Sequence, residues 1–302
     1  MGAGTGREVS AVRSDPHPGT PARRSLVLDV GTSWTKVALA DAGRLVRIGA
    51  FPTAGGTERW RAGLARVLAL EGVTLHRRHL DHIAVSSVVA AARTTLRAAV
   101  DGMEQPVPLR FVTARTAPLT IDYRPQGALG ADRIAGAVAA AAAWGAPVVV
   151  VDIGTATTCD LVAAGGRFLG GAIAPGPWVG YAGLLDLAPH LAPAGELAAD
   201  DETVPLAGGS TWECLRVGVL RGAAALIDGL VRGHRRVVGP CPVVATGGLA
   251  DTLAPLSETV TAVDADLTLR GTLLVCAPGV RPRPASVRSE VRDVRTPERS
   301  RF

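Results

Sequence analysis

The chain has 302 residues, 47% apolar and 20% charged, enough to bury a sizeable core and, by length, to form about two domains. Its net charge of +5 sits at the ends: residues 1–24 hold four arginines against two acids and residues 278–302 seven against three, which leaves 25–277 at about −1 without a basic stripe for nucleic acid. No apolar run reads as a membrane span, residues near the N-terminus lack the apolar core of a secretory signal, and Cys159, Cys214, Cys241 and Cys276 have neither zinc-site nor disulfide-framework spacing. A cytoplasmic globular protein is expected, with disordered, solvated tails at 1–24 and 278–302, the latter basic.

In chain order, Leu26 to Val30 reads as the first strand, Gly31 as a turn and Thr35 to Ala40 as a second strand, with a third after the Asp41-Ala42-Gly43 turn. Trp60, Leu64, Val67 and Leu68 recur at helical spacing and predict a helix over Glu58 to Leu70; Ile83 to Val89 reads as another strand. The histidines of HRRHLDH, residues 76–82, have helical spacing that could hold a metal, but among arginines and acids they read as a solvated face. Arg133 to Trp144 is Ala-rich and strongly helical, stopped by Gly145 and Pro147. A helix over Trp212 to Gly233 and a strand at Val243 to Ala245, leading into TGGLA, complete the pattern.

The apolar run VVVVDIGTATTCDLV, starting at Val148, breaks at Asp152 for a glycine and several hydroxyls. The same device opens LVLDVGTSWTKVALA, and an offset of 123 aligns Asp29 with Asp152, Gly31 with Gly154, Thr32 with Thr155, Thr35 with Thr158 and Gly43 with Gly166. Two copies so far apart imply two similar domains rather than a solenoid. Glycine lets backbone N–H groups approach phosphate oxygens, hydroxyls add donors, and a strand-end aspartate can hold a cation that bridges those phosphates. Lys36, the only lysine of the chain, ends the first loop and could reach a phosphate or simply lie on the surface. Asp132 opens the Ala-rich helix, where the helix dipole favours its ionised form, as it would for a capping aspartate. Arg133 beside it could neutralise a substrate carboxylate or a carboxylate of the protein.

From about residue 25 to 277 the chain resembles the type III pantothenate kinases of the acetate kinase, sugar kinase, Hsp70 and actin superfamily. The resemblance rests on DVGTSWTK at 29–36, SSVV at 86–89, YRPQGALGADR at 123–133, VVDIGTATTCDLV at 150–162, GRFLGGAIAPG at 166–176, GGSTWECLRVGVLRG at 208–222 and TGGLA at 246–250, in that order. It implies an α/β fold of duplicated actin-like (ribonuclease H-like) domains, 25–145 and 146–277, with a nucleotide cleft between them. It further implies ATP-dependent phosphorylation of pantothenate with Mg²⁺ and a monovalent cation, K⁺ or NH₄⁺, by a homodimer. The ATP-binding residues would be Asp29, Val30, Gly31, Thr32, Ser33, Trp34, Thr35, Lys36 and Thr155, and the cation would lie at Asp152. Asp132 would be the general base, and Tyr123, Gly130, Ala131, Asp132, Arg133 and Thr211 the pantothenate contacts, Thr211 near a shared site of the dimer. The family's usual Asn after the first-loop glycine is Thr32 here, in a chain with no Asn at all. That departure keeps two alternatives open, a same-fold kinase of another small hydroxy acid and a nucleotide-binding regulator without turnover.

Overall fold

The computed structural model describes residues 24–41, 43–76, 79–102, 106–192 and 204–280. Both expected tails lie outside the described residues except for Arg24 and residues 278–280. Among the described residues no helix is long and apolar enough to cross a membrane.

The first apolar runs form a meander: β1 (Arg24–Val30), β2 (Trp34–Asp41) and β3 (Arg44–Pro52), each antiparallel to the one before. Next come α1 (Thr57–Ala69), β4 (His82–Ser87), α2 (Ala90–Asp101) and β5 (Leu109–Phe111), giving a five-stranded sheet ordered β3-β2-β1-β4-β5 with β4 parallel to β1 and to β5. A short β6 (Thr120–Ile121) leads to α3 (Ala131–Trp144). The topology then recurs: β7 (Val148–Ile153), β8 (Ala156–Ala163) and β9 (Arg167–Pro175) form a second meander. After α4 (Pro177–Leu187) and α5 (Thr211–Val238) come β10 (Val243–Thr246), α6 (Ala250–Leu253), β11 (Ala262–Val263) and α7 (Leu267–Cys276). The second sheet runs β11-β10-β7-β8-β9-β6, the first order repeated with β6 added at its edge.

The central strands read as nearly unbroken apolar runs because both faces are covered. Leu26, Leu28 and Val30 of β1 pack with Trp60, Leu64 and Leu68 of α1 and Leu96 and Val100 of α2, while Val27 faces the opposite way. In β7, Val149, Val151 and Ile153 pack with Leu220, Ile227 and Val231 of α5, while Val148 and Val150 join Val27 in a shared core built around α3 and α7. The layers are therefore α1 and α2, the first sheet, α3 with α7, the second sheet, and α5.

Close approach of α3 and α7 holds the middle layer together. A Cβ on Gly271 of α7 would overlap the carbonyl of Ala135 in α3, so only glycine permits this crossing. The alanines of α3, chosen on propensity grounds at first sight, are also small enough to fit between two sheets: Ala135, Ala137 and Ala140 are fully buried.

Three local expectations change. The strand expected over Ile83 to Val89 starts one residue earlier and ends at Ser87, leaving Val88 exposed. The HRRHLDH segment is not helical where described. His79 is exposed and bonds Thr74, but His82 is buried in β4 with Nδ1 3.1 Å from Ser25 Oγ, because the strand has already begun there. The helix expected to end at Gly233 continues to Val238, with Gly239 at φ +81° after its last turn.

Replacing Gly271 by Val should lower the unfolding free energy by about 2 kcal/mol or more, since backbone rather than a movable side chain blocks the new methyls. Gly229→Ala, on an open stretch of α5, should raise it by about 0.5–1 kcal/mol. Urea denaturation of both variants measures the two opposite signs.

Candidate active site

The turns after β1 and β7 face one cleft of about 560 Å³. Asp29, Gly31, Thr32, Ser33, Trp34 and Lys36 line it from the first turn, and Asp152, Gly154, Thr155, Ala156 and Thr158 from the second. Tyr123, Gly130, Asp132 and Arg133 line it from the entry to α3, and Gly247 and Gly248 from the turn after β10. The remaining named residues lie elsewhere. Val30 and Ala131 are buried, and Thr35 is fully buried with its hydroxyl 2.9 Å from that of Thr53. Thr211 lines a separate apolar cavity between α4 and α5.

The two turns are not identical copies. In the first, Val30 pairs with Thr35 and Asp29 with Lys36; in the second, Ile153 pairs with Thr157 and Asp152 with Thr158. Gly31 N–H donates to the carbonyl of Trp34, whereas Gly154 N–H donates to that of Ala156. The second turn is thus one residue shorter, so Thr158 occupies the place of Lys36, and Thr157 that of Thr35. The constant offset had aligned Thr35 with Thr158. The burial patterns agree with the shifted match, since Thr35 and Thr157 are both buried.

Each strand-end aspartate has a hydroxyl neighbour on the next parallel strand, Ser86 beside Asp29 and Thr246 beside Asp152. Lys36 Nζ lies 3.9 Å from Asp29. Burial pushes Asp29 up to about 6, with Lys36 pulling it down and Asp132 pushing further up. Burial and then the charge of Asp29 push Asp152 up to about 7. Among the described residues Asp152 has no ion-pair partner, and no cluster of three or more His, Cys, Asp or Glu could hold a metal alone. Two facing carboxylates that resist ionisation, short of positive charge and flanked by hydroxyls, suit a single hydrated or phosphate-bound cation and not an all-protein metal cage. Gly247 makes this arrangement possible: at φ +95°, a Cβ there would come 2.5 Å from Asp152 Oδ1.

Asp132 sits in the first turn of α3 but does not cap it; Gly130 holds the cap position. Its Oδ1 accepts the Arg133 N–H at 2.7 Å, and its own backbone N–H also favours the charged carboxylate. Burial pushes its carboxyl above the usual range, outweighing the backbone N–H bonds and the Arg133 charge that pull it down. The helix start therefore does not dominate as the sequence led one to expect. A Cβ on Gly130 would meet Asp132 Oδ1 at 2.5 Å, so this glycine makes room for the carboxylate.

Arg133 engages a carboxylate of the protein: its Nε donates to both oxygens of Asp160, at 3.0 and 3.1 Å, and its Nη2 donates to Oδ1. Its guanidinium carbon lies 5.5 Å from the Tyr123 ring centroid and 5.8 Å from that of Phe168. Burial works against its charge, but Asp160 and Tyr123 more than offset this and raise its pKa further. Sequence reasoning gave no site role to Asp160, Thr158, Gly247 or Gly248. Asp160 did leave a signal, a lone acid inside an apolar strand.

A sequence model described as type III pantothenate kinase matches residues 25–233. The type III pantothenate kinase of Roseiflexus castenholzii is 37% identical over 244 residues, covering 76% of this chain and 93% of the relative. That of Thermus thermophilus is 36% identical over 258 residues, covering 83% and 97%. Among solved structures, component A of the (R)-2-hydroxyglutaryl-CoA dehydratase of Acidaminococcus fermentans superposes with a TM-score of 0.53 at 16% identity, covering 84% of this chain and 96% of that one, a likeness of fold alone. With two sheets of repeated topology and a family match across both meanders, the chain belongs to the type III pantothenate kinase family.

Proposed function

We propose that this protein transfers the γ-phosphoryl group of ATP to the primary hydroxyl of pantothenate, the first step of coenzyme A biosynthesis in the cytoplasm. The observation that carries the reading, beyond family membership, is one cleft in which the half-buried carboxylate of Asp132 shares space with both glycine-and-hydroxyl turns. Backbone and hydroxyl donors of Thr32, Ser33 and Thr155 fit phosphate oxygens, and Lys36 fits a phosphate at the end of the first turn. When bound, Mg-ATP supplies the phosphoryl group with much of its charge already neutralised. Asp132 takes the hydroxyl proton as the new P–O bond forms and the bond between the γ-phosphorus and the β-phosphate oxygen breaks, ADP leaving, while Arg133 and Tyr123 orient the substrate. A raised carboxylate pKa makes Asp132 a better proton acceptor than an exposed aspartate.

The test is phosphorylation of pantothenate against a panel of other hydroxy acids. In Asp132→Asn the amide keeps the size but cannot accept the proton, so turnover should fall by roughly 10²–10⁴ while ATP binding and melting temperature stay close to the parent. Parent-like turnover in that variant would remove the base assignment.

Asp152 and Asp29 support a monovalent-cation site. Raised carboxylate pKa values mean that the ligand-free protein takes up protons on folding, so this pair's contribution to stability falls as pH rises from about 4 toward 7. A cation competes with those protons. Potassium or ammonium should therefore raise the melting temperature more at pH 8 than at pH 5 and stimulate turnover over sodium, and Asp152→Ala should abolish both effects. Equal behaviour in all three salts would remove the cation assignment but not the kinase.

Thr211 supports a homodimer. Its cavity of about 610 Å³ is walled by apolar faces of α4 and α5, and α4 buries only Pro177 while leaving Leu187 91% exposed. A second copy seated there would bury this face and carry Thr211 toward a shared site. Light scattering at micromolar concentration should give twice the 30.9 kDa chain mass; a monomer mass would overturn the dimer.

A further inference from the structure

We propose that Asp160 is a positioning residue for substrate recognition: by holding the Nε and Nη2 edge of the Arg133 guanidinium, it fixes the direction in which Arg133 meets the carboxylate of pantothenate. This rests on the pantothenate reading above and adds a residue that acts through Arg133 without needing to touch the substrate.

The guanidinium has two forks suited to a carboxylate, Nε with Nη2 and Nη1 with Nη2. Asp160 takes the first with both oxygens, and its carboxylate is almost wholly buried. Tyr123 and Phe168 lie against the same guanidinium, limiting its rotation. Yet Arg133 still lines the cleft beside Asp132. An arginine fixed along one edge, packed by two rings and bonded to the Tyr123 side chain has little freedom left, so the donors it turns to the cleft have a set direction.

The duplicated meander argues against a purely structural role for Asp160. With the register shifted by the shorter turn, Asp160 of β8 faces Val150 as Ala38 of β2 faces Val27. The same strand position is filled by a methyl group in one half and a carboxylate in the other, so the fold does not call for an acid there. A buried ion pair is a weak stabiliser relative to apolar packing, which leaves orientation of Arg133 as its reason for being there.

The experiment compares Asp160→Asn and Asp160→Glu with the parent on two acceptors, pantothenate and an analogue whose carboxylate is replaced by an N-alkyl amide. Asparagine removes the charge; glutamate keeps it but moves the fork by one methylene. Each folded variant should raise the KM for pantothenate, by about 10- to 100-fold for asparagine, with kcat and the KM for ATP within a few-fold of the parent. On the amide analogue, parent and variants should have similar kcat/KM, since the interaction that Asp160 sets up has no counterpart there. An unchanged pantothenate KM in either folded variant overturns the proposal, and so does an equal loss on both acceptors, the mark of a general structural role. If Asp160→Asn melts far below the parent, Asp160→Glu decides alone on the same readouts. The parent's own turnover of pantothenate, measured in the same series, tests the function separately from the role of Asp160.

Discussion

The crossing of α3 and α7 is the constraint on which the site depends. Gly271 against the Ala135 backbone lets two helices share the space between two sheets, and the sheets carry the turns that form the cleft walls. Alanine and glycine bury little apolar area each, so the seam gains most of its adhesion from the valines and leucines on either side. What the small residues contribute is distance. A larger residue at the crossing would push apart the very elements that end in Asp29 and Asp152.

Duplication supplies two matching walls, and small departures from it supply the chemistry. One residue fewer in the second turn puts a hydroxyl where the first has an amine, and a carboxylate at Asp160 where the first half has Ala38. The first wall thus offers a positive charge beside Asp29, whereas the second offers Asp152 without one and anchors Arg133 through Asp160. A ligand with unlike ends meets unlike walls, so a cleft built from one repeated fold can still bind it in a single direction.

Much of this could be read in the sequence because it depends on local pattern. The apolar runs broken by Asp-x-Gly-Thr marked both β-turns, and the periodicity of Trp60, Leu64, Val67 and Leu68 marked α1 within a residue at either end. What could not be read depends on pairing across the fold. The shorter second turn is invisible to a constant offset because Thr157 and Thr158 are identical residues on opposite faces. Whether Arg133 meets a protein carboxylate depends on β8 lying against α3, and the position of Gly247 under Asp152 depends on β10 pairing with β7. The upward shift at Asp132 likewise comes from burial contributed by distant segments, which outweighed the local expectation drawn from the helix start.

Arginine supplies every other fixed cationic side chain, so Lys36 is the only side-chain amine in the molecule. It is about one-third exposed and opens into the cleft beside Asp29. Guanidinium groups do not react with acylating or aldehyde reagents under mild conditions as an amine does. Side-chain labelling through amine chemistry is thereby confined to the cleft, where an attached dye or affinity tag would sense occupancy at close range. In a protein of average lysine content the same reagent would scatter its signal over the surface.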